Sequence, residues 1–258
     1  MKMHRMLLTC LPCLLMGPLL AQPQIGGGTC ASSTLTGTYS LTITGRTLSS
    51  SVVFSNALQG IGTATFDGLS KVTFAFTNNT NKAAGVMQTW SGTYSMQSNC
   101  LGVINITTGD AATLTLGTYN TGAAYFISGQ DGVYSLLGSG NTVPATCSAT
   151  TLSGVYPFNG NGFALTSGAI SGVNSISGLI TFDGTSAVSG TWILSTNSKP
   201  VTTTGTYSVT SGCAATATLT DTSGNTYSVL FTIVAANGNF ILGASNSQLM
   251  FQGSGRVL

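Results

Sequence analysis

The stretch Cys30-Ala-Ser-Ser-Thr-Leu-Thr-Gly-Thr-Tyr39 decides the fold, because the chain returns to it as Cys147-Ser-Ala-Thr-Thr-Leu-Ser-Gly-Val-Tyr156. Four further pairs of blocks follow in the same order: Thr65-Phe-Asp-Gly68 and Thr181-Phe-Asp-Gly184, Gly92-Thr-Tyr-Ser95 and Gly205-Thr-Tyr-Ser208, Phe126-Ile127 and Phe240-Ile241, Gly138-Ser-Gly140 and Gly253-Ser-Gly255. Matched blocks in a constant order indicate a duplicated module. We predict β module 1 over residues 30–141, a linker at 142–146 that contains Pro144, and β module 2 over residues 147–258.

Each module has the alternation of apolar and polar side chains that is typical of half-buried β-strands. Tyr39, Leu41 and Ile43 alternate with Ser and Thr, and Asp-Gly and Asn-Gly pairs mark hairpin turns because both positions tolerate positive φ. About eight short strands fit each module. Charged residues that protect open sheet edges are scarce, so closure into a barrel is favoured. We predict an all-β fold of two tandem antiparallel β-barrels of about eight strands each, with two β-sandwiches as the alternative.

The N-terminus has the form of a secretory signal peptide. A basic start at residues 1–5 is followed by an apolar run at residues 6–20 and by the small residue Ala21. We predict a cleaved signal peptide at 1–21, a linker at 22–29, and a protein secreted to the periplasm, the cell surface or the extracellular space. A lipid anchor on Cys10 is less favoured, because Thr9 is a poor residue before such a cysteine. Beyond residue 21 no apolar run approaches the ~20 residues that a membrane-spanning helix needs.

The charge of the chain gives no reason to expect nucleic acid as a partner. Charged residues make up only 5% of the sequence, against roughly 25% in an average soluble domain. Loss of Lys2 and Arg5 with the signal peptide would leave five cationic side chains and five aspartates. A neutral mature chain does not attract phosphate backbones. We therefore expect an extracellular ligand or surface component of unknown identity as the partner.

Four cysteines remain after the signal peptide, at Cys30, Cys100, Cys147 and Cys213. An even number of cysteines in an exported chain indicates disulfides. Each module has one cysteine before its first strand and one after its fourth, two points that lie at the same end of an up-and-down meander. The pairing predicted is Cys30–Cys100 and Cys147–Cys213. A zinc site is not favoured, because the wide spacing contains no Cys-x-x-Cys element.

The repeated blocks resemble a group of bacterial secreted β-module repeat proteins of unassigned function. That group carries Gly-Thr-Tyr, Phe-Asp-Gly and Gly-Thr-Tyr blocks followed by a cysteine, in tandem. The likeness covers nearly all of residues 30–258. The resemblance implies a secreted β module and supplies no catalytic residue.

The mature chain contains no histidine and no glutamate. That composition excludes a Ser-His-Asp triad, a histidine-based zinc site and glutamate acid–base chemistry. The repeated acids Asp67 and Asp183 each precede a glycine at the expected end of a strand, so we interpret them as turn residues. The alternative makes them the acid and base of a hydrolase. We predict no catalytic residue, no metal and no cofactor.

Aromatic side chains are the remaining candidates for ligand contacts. The residues concerned are Phe74, Trp90, Tyr94, Trp192 and Tyr207. In a barrel they either line a small-molecule pocket or fill the core, and core filling is favoured because the alternating strands of any barrel need such residues.

These observations favour a non-catalytic, secreted or cell-surface binding, adhesive or structural protein. The alternatives are a carrier of a small apolar ligand in the barrel lumen and an aspartate-based hydrolase.

Overall fold

A computed structural model describes residues 29–47, 57–80, 85–167 and 169–258. The predicted signal peptide at 1–21 and all but the last residue of the linker at 22–29 lie outside the described residues. The first eight strands are β1 (Thr36–Thr47), β2 (Ala57–Asp67), β3 (Lys71–Thr80), β4 (Val86–Met96), β5 (Leu101–Thr108), β6 (Ala112–Tyr119), β7 (Ala124–Gln130) and β8 (Tyr134–Asn141). The second eight are β9 (Ser153–Thr166), β10 (Ala169–Asp183), β11 (Ala187–Leu194), β12 (Asn197–Val209), β13 (Ala214–Asp221), β14 (Thr226–Ile233), β15 (Phe240–Ser245) and β16 (Leu249–Gly255).

The strands form two closed antiparallel barrels, each an up-and-down meander in chain order. Barrel 1 (β1–β8) closes where β1 pairs with β8, with Thr42 opposite Ser139. Barrel 2 (β9–β16) closes where β9 pairs with β16, with Phe158 opposite Gly255. The predicted all-β fold of two eight-stranded barrels is confirmed, and the alternative of two sandwiches is wrong. Closure pairs the outermost strands with each other, which removes the open edges that this weakly charged chain could not protect.

Helical structure in the described part of the chain is restricted to short 3-10 turns, of which Ser32–Thr34 and Ala149–Thr151 directly precede the first strands of the two barrels. None of the helices in the described ranges has the length and apolar character needed to cross a membrane.

One phenylalanine lies at the centre of each core. Phe66 makes edge-to-face contacts with the rings of Tyr39, Phe74, Tyr94 and Tyr125 in barrel 1. In barrel 2, Phe182 contacts the rings of Tyr156, Tyr207, Phe231 and Phe240. Both phenylalanines belong to the repeated Thr-Phe-Asp-Gly block, so the block supplies the centre of the core as well as a turn.

The two cores fill similar space with different residues. In barrel 1, Phe76 on β3 packs edge-on against Trp90 on β4, with ring centroids 4.9 Å apart. In barrel 2 the indole is on β11, at Trp192, and it covers Gly190, where an added Cβ would lie 2.8 Å from the ring. The indole thus lies on the fourth strand of barrel 1 and on the third strand of barrel 2. Gly190 leaves space for it in barrel 2, which maintains close packing.

Candidate functional site

The five aromatic residues considered as ligand contacts are all buried, at 5% exposure or less. Phe74, Trp90 and Tyr94 belong to the core of barrel 1, and Trp192 and Tyr207 to that of barrel 2. Trp192 packs edge-on against Phe158 and Tyr227, with centroids 6.1 and 5.5 Å away. These side chains therefore pack against one another within the barrels.

The interior of barrel 2 retains a cavity of only about 10 Å³. Its wall consists of apolar and aromatic side chains that include Trp192 and Phe231. Small-molecule sites usually enclose roughly 300–1,000 Å³, whereas about 10–15 Å³ holds one water molecule. The lumen of barrel 2 is thus packed, and its aromatic residues fill the core.

Tyr94 and Tyr207 have a second, structural role at one end of each barrel. The Tyr94 hydroxyl lies 2.8 Å from the carbonyl oxygen of Ser32 and 3.0 Å from that of Leu35, and so holds the 3-10 turn against the barrel. Burial raises the pKa of Tyr94 to about 12. Tyr207 reaches the carbonyl oxygens of Ala149 and Leu152 in the same way, each at 3.0 Å.

We expect Tyr94→Phe to lower the free energy of unfolding by about 1–2 kcal/mol, because the buried Leu35 carbonyl loses this donor and the Ser32 carbonyl retains only the N–H group of Leu35. Urea titration of the wild type and the variant measures the loss. Tyr207→Phe is the matched change in barrel 2 and should have an effect of similar size. An unchanged midpoint in both variants would show that these hydroxyl groups do not hold the turns.

The disulfides Cys30–Cys100 and Cys147–Cys213 close the same end of each barrel, as the sequence predicts. Each bond joins the segment before the first strand to the residue that follows the fourth strand and its turn. Cys100 and Cys213 take positive φ values of 67° and 65°, so the same backbone turn occurs in both barrels. Among the described residues no group of three or more His, Cys, Asp or Glu side chains could hold a metal ion.

The repeated aspartates are turn acceptors. Asp67 Oδ1 accepts hydrogen bonds from the backbone N–H groups of Leu69, Ser70 and Lys71 at 2.8–2.9 Å. Those hydrogen bonds lower the pKa of Asp67, and the bond from the Lys71 N–H group has the largest effect. Gly68 takes the positive φ of 77° that the turn requires, whereas Asp67 does not have a positive φ. The carboxylate instead organises the turn through its oxygen atoms.

Asp183 repeats this arrangement in barrel 2. Its Oδ1 accepts from the backbone N–H groups of Thr185, Ser186 and Ala187, and the Thr185 hydroxyl donates to Oδ2. The hydroxyl bond is the main reason that the pKa of Asp183 falls to about 2. Both aspartates are ionised acceptors at neutral pH, which suits a turn and leaves neither as a general acid.

We expect acid to weaken barrel 2 as the pH falls from about 4 to about 2. The folded pKa of Asp183 is depressed, so its stabilisation is present above the unfolded value near 4 and disappears as the carboxylate is protonated. Asp183→Asn keeps an acceptor oxygen but cannot titrate. Its melting temperature, followed by circular dichroism, should therefore change less over this pH range than that of the wild type. Equal pH dependence of the two proteins would contradict the assignment.

Asp221 also has its oxygen atoms occupied. They accept from the backbone N–H groups of Ser223 and Asn225, the Asn225 side chain and the Tyr227 hydroxyl. Partial burial acts to raise the pKa of Asp221, but these hydrogen bonds outweigh it and the pKa is lowered. Asp131 accepts the backbone N–H groups of Val133 and Tyr134. Four of the five aspartates thus stabilise loops.

The two barrels pack against each other through β2, whose outer face contacts β14, β15 and β16. Ala57, Gln59 and Ile61 alternate with core residues and should face solvent, yet they are 0%, 6% and 5% exposed. Gly243 on β15 permits this contact, because an added Cβ would lie 2.7 Å from Ile61 Cδ1. β2 provides most of the barrel 1 side of this contact, with a smaller contribution from β1, which also contacts β14.

Among the described residues, polar groups link the barrels at three points. Thr232 Oγ1 donates to the Gly62 carbonyl at 3.2 Å, and Ser245 Oγ donates to Asn79 Oδ1 at 3.1 Å. Gln59 Nε2 donates to the Asn161 carbonyl at 3.2 Å. A small apolar cluster lies beside these bonds and consists of Ala57, Phe163 and Met250.

An open cleft of about 400 Å³ lies beside this contact and has walls from both barrels. We call it the inter-barrel cleft and define it by Arg46, Gln59, Leu137, Asn161, Val173 and Gln252. The Arg46 guanidinium lies over the ring of Phe163, 5.7 Å from its centroid. Gln59 Oε1 and Gln252 Oε1 are buried and accept no hydrogen bond.

Sequence reasoning did not find this cleft. Arg46 and Val173 stand in strands with ordinary alternation, and neither residue indicates where the other module will lie. The sequence feature that could have indicated the contact is in β2. The run from Ala57 to Ile61 is apolar except for Gln59 and Gly60, and so it lacks a clear polar face. Such a run is typical of a strand that is buried on both faces.

The sequence matches no protein-family model and no curated protein. Among solved structures, the chain is similar to the crystal structure of a protein of unknown function from the DUF3598 family of Nostoc punctiforme. The two share 7% identity with a TM-score of 0.28, and the similarity covers 87% of this chain and 97% of that one. At these values the likeness carries no conclusion about the function of this protein.

Proposed function

We propose that the protein is a secreted, non-catalytic binding protein that recognises an extracellular ligand or surface component with the outside of two packed barrels. The observation that carries the proposal is the aromatic packing inside the barrels. The cavity within barrel 2 has room for about one water molecule. A ligand of ordinary size does not fit this lumen, which favours binding on the outside of the barrels over a carrier function in barrel 2.

The positions of the acidic groups support the non-catalytic part of the proposal. Asp67 and Asp183 lie in different barrels, and each is engaged in its own turn. A glycosidase requires two carboxyl groups roughly 5–10 Å apart on either side of one bond. With no histidine or glutamate after residue 21, other common acid–base pairs are missing from the mature sequence.

Two disulfides support the secreted part. Such bonds persist in the periplasm and outside the cell, whereas cytosolic thiols are kept reduced. The docked pair of barrels presents a weakly charged outer surface, since charged residues make up only 5% of the sequence.

The test uses fluorescently labelled protein of residues 22–258 on intact bacterial cells and on a panel of immobilised neutral and acidic polysaccharides. We expect saturable binding to at least one surface, unchanged in Asp67→Asn and Asp183→Asn, with no chemical change of the bound material by mass spectrometry. Reduced and heat-unfolded protein is the control. Absence of saturable binding would contradict the binding function, and product formation that either variant abolishes would indicate a hydrolase. Native mass spectrometry that found a lipid bound inside the protein would favour the carrier.

A further inference from the structure

We propose that a groove on the outer face of barrel 2 binds an anionic polysaccharide. This inference rests on the proposed binding function and names the ligand class and the site. The groove lies where β16 pairs with β9 to close the barrel, and it extends onto β10. We call it the seam groove and define it by Pro157, Asn159, Ser177, Ser254 and Arg256. Its volume of about 700 Å³ lies within the range of small-molecule sites.

Three polar side chains of the seam groove form a row across three strands. Ser254 on β16 is opposite Asn159 on β9, and Asn159 is opposite Ser177 on β10. Neighbouring strands lie about 4.8 Å apart, so the row is about 10 Å long. All three side chains are exposed, and none of them forms a hydrogen bond with another described residue. The row therefore has donors and acceptors available for a ligand.

The equivalent positions of barrel 1 are occupied by side chains that contact each other. The repeated blocks place Thr42 and Ser139 in barrel 1 where barrel 2 has Asn159 and Ser254. Thr42 is opposite Ser139 in the ladder, and their hydroxyl oxygens lie 3.2 Å apart. The two copies share the same seam, but only in barrel 2 are these side chains left without a partner among the described residues.

The next pair of positions differs in the same way. Ser40 and Asn141 of barrel 1 correspond to Pro157 and Arg256 of barrel 2. Ser40 Oγ accepts the Asn141 N–H at 2.9 Å and donates to the Asn141 carbonyl at 3.3 Å. Pro157 has no side-chain donor, and it accepts only the backbone N–H of Arg256, at 3.2 Å. The Arg256 side chain is thus not used to close the seam.

Arg256 indicates an anionic group on the ligand. Its side chain is exposed, and no described residue forms an ion pair or a hydrogen bond with its guanidinium. None of the residues that line the groove is acidic. A guanidinium with free N–H groups presents parallel donors that match the oxygens of a carboxylate or a similar oxyanion.

The chemistry of the groove favours a saccharide over an extended peptide. A peptide of that kind binds by adding a strand to an open sheet edge. In barrel 2 the strands β9, β10 and β16 are each paired on both sides, so side chains have to make the contacts. Hydroxyl and carboxamide groups match the hydroxyl groups at the edge of a sugar ring. Leu179, which is opposite Pro157 and 47% exposed, adds an apolar surface for the C–H groups on the face of the ring.

Barrel 1 does not offer a second copy of the site. Ile61 is the residue of barrel 1 that corresponds to Ser177, and it is 5% exposed because barrel 2 covers it. Ser177 itself is exposed. We therefore expect one binding site per chain.

The proposal is tested by isothermal titration calorimetry on the protein of residues 22–258. Two probes are anionic oligosaccharides: trigalacturonate, which carries carboxylates, and a κ-carrageenan tetrasaccharide, which carries sulfates. Maltotriose has hydroxyl groups only, and a triaspartate peptide has carboxylates without a sugar. We expect one or both anionic oligosaccharides to bind at one site per chain, at least tenfold more tightly than maltotriose or triaspartate. The binding should weaken as salt rises, because salt screens the interaction with Arg256.

Variants locate the site. Arg256→Gln should weaken the binding at least tenfold. The triple change Pro157→Ser, Asn159→Thr and Arg256→Asn gives barrel 2 the seam residues of barrel 1, and it should abolish binding in a folded protein. Lys199→Gln is the matched control, because it removes an exposed cation of β12 that does not line the groove. It should bind as the wild type does. Circular dichroism confirms that each variant is folded before titration.

Three results would overturn the inference: no binding of either anionic oligosaccharide, equal binding by Arg256→Gln and the wild type, or an equal loss in Lys199→Gln and Arg256→Gln. Equal or tighter binding of triaspartate would replace the polysaccharide by an acidic peptide. If both oligosaccharides fail but the labelled protein still binds cells or another surface saturably, only the inference about the seam groove is wrong. If nothing binds, the proposed binding function fails as well.

Discussion

Replacement of both cysteines of either disulfide by serine is expected to lower the free energy of unfolding of that barrel by about 4 kcal/mol. The bonds join residues 70 and 66 positions apart. In the chain-entropy model, closing a loop of this length lowers the entropy of the unfolded chain and so raises its free energy by about 4 kcal/mol. The similar separations predict similar losses for Cys30→Ser/Cys100→Ser and Cys147→Ser/Cys213→Ser.

The two tryptophans allow each barrel to be followed separately, since Trp90 lies in barrel 1 and Trp192 in barrel 2. Urea titrations by fluorescence in a Trp192→Phe background report on barrel 1, and those in a Trp90→Phe background report on barrel 2. The parent single-tryptophan variant is the reference in each case. A reducing agent should destabilise the reference and leave the cysteine-free barrel unchanged. A loss below about 1 kcal/mol in both barrels would contradict the chain-entropy argument.

Truncation of the central phenylalanine is the second large effect. We expect Phe66→Ala to lower the free energy of unfolding by about 3–5 kcal/mol, the usual range for a buried phenylalanine. Phe66 is 1% exposed and contacts four aromatic rings, so its loss removes apolar burial and leaves a cavity that rigid neighbouring rings fill poorly. Urea titration followed by circular dichroism measures the change.

Three variants control this measurement. Phe182→Ala is the equivalent change in barrel 2 and should cause a loss of the same order. Phe66→Leu retains most of the side-chain volume and should cause a smaller loss. Leu69→Ala alters a side chain that is 76% exposed and should stay within about 0.5 kcal/mol of the wild type. If Phe66→Ala and Leu69→Ala behaved alike, the interior of barrel 1 would not be packed as described.

The interiors of the barrels and the cleft beside their contact differ in packing. Aromatic rings fill the barrel interiors, and the two barrels contact each other with an open cleft beside the contact. The chain has few ionic groups, and so the position of Arg46 over Phe163 gives the cleft a charge that most of the surface lacks.

Much of the fold was predictable from local patterns. Alternation along β5 and β13 identifies strands, and Asp67 and Asp183 mark hairpins because a carboxylate at a strand end can accept three backbone N–H groups. The disulfide pairing followed from the position of each cysteine relative to its strands. The hydrogen bonds by which Tyr94 holds the 3-10 turn were not predictable. The carbonyl groups that accept them, those of Ser32 and Leu35, lie 62 and 59 residues earlier in the chain.

The sequence by itself determined that this is an all-β chain of two modules, each with about eight strands and one disulfide, since alternation, turn residues and cysteine positions act over short distances and recur in both modules. It favoured barrels over sandwiches, and the tertiary structure decided for closed barrels. Only the tertiary structure decided whether the aromatic side chains enclose a pocket, because residual volume depends on how rings from non-adjacent strands interlock. It alone also placed β2 against β14–β16 and so created the inter-barrel cleft. The physical reason is that a contact between barrels depends on complementary shapes of residues far apart in the chain, such as Ile61 and Gly243. Such a contact hardly changes the alternation of apolar and polar residues in either strand.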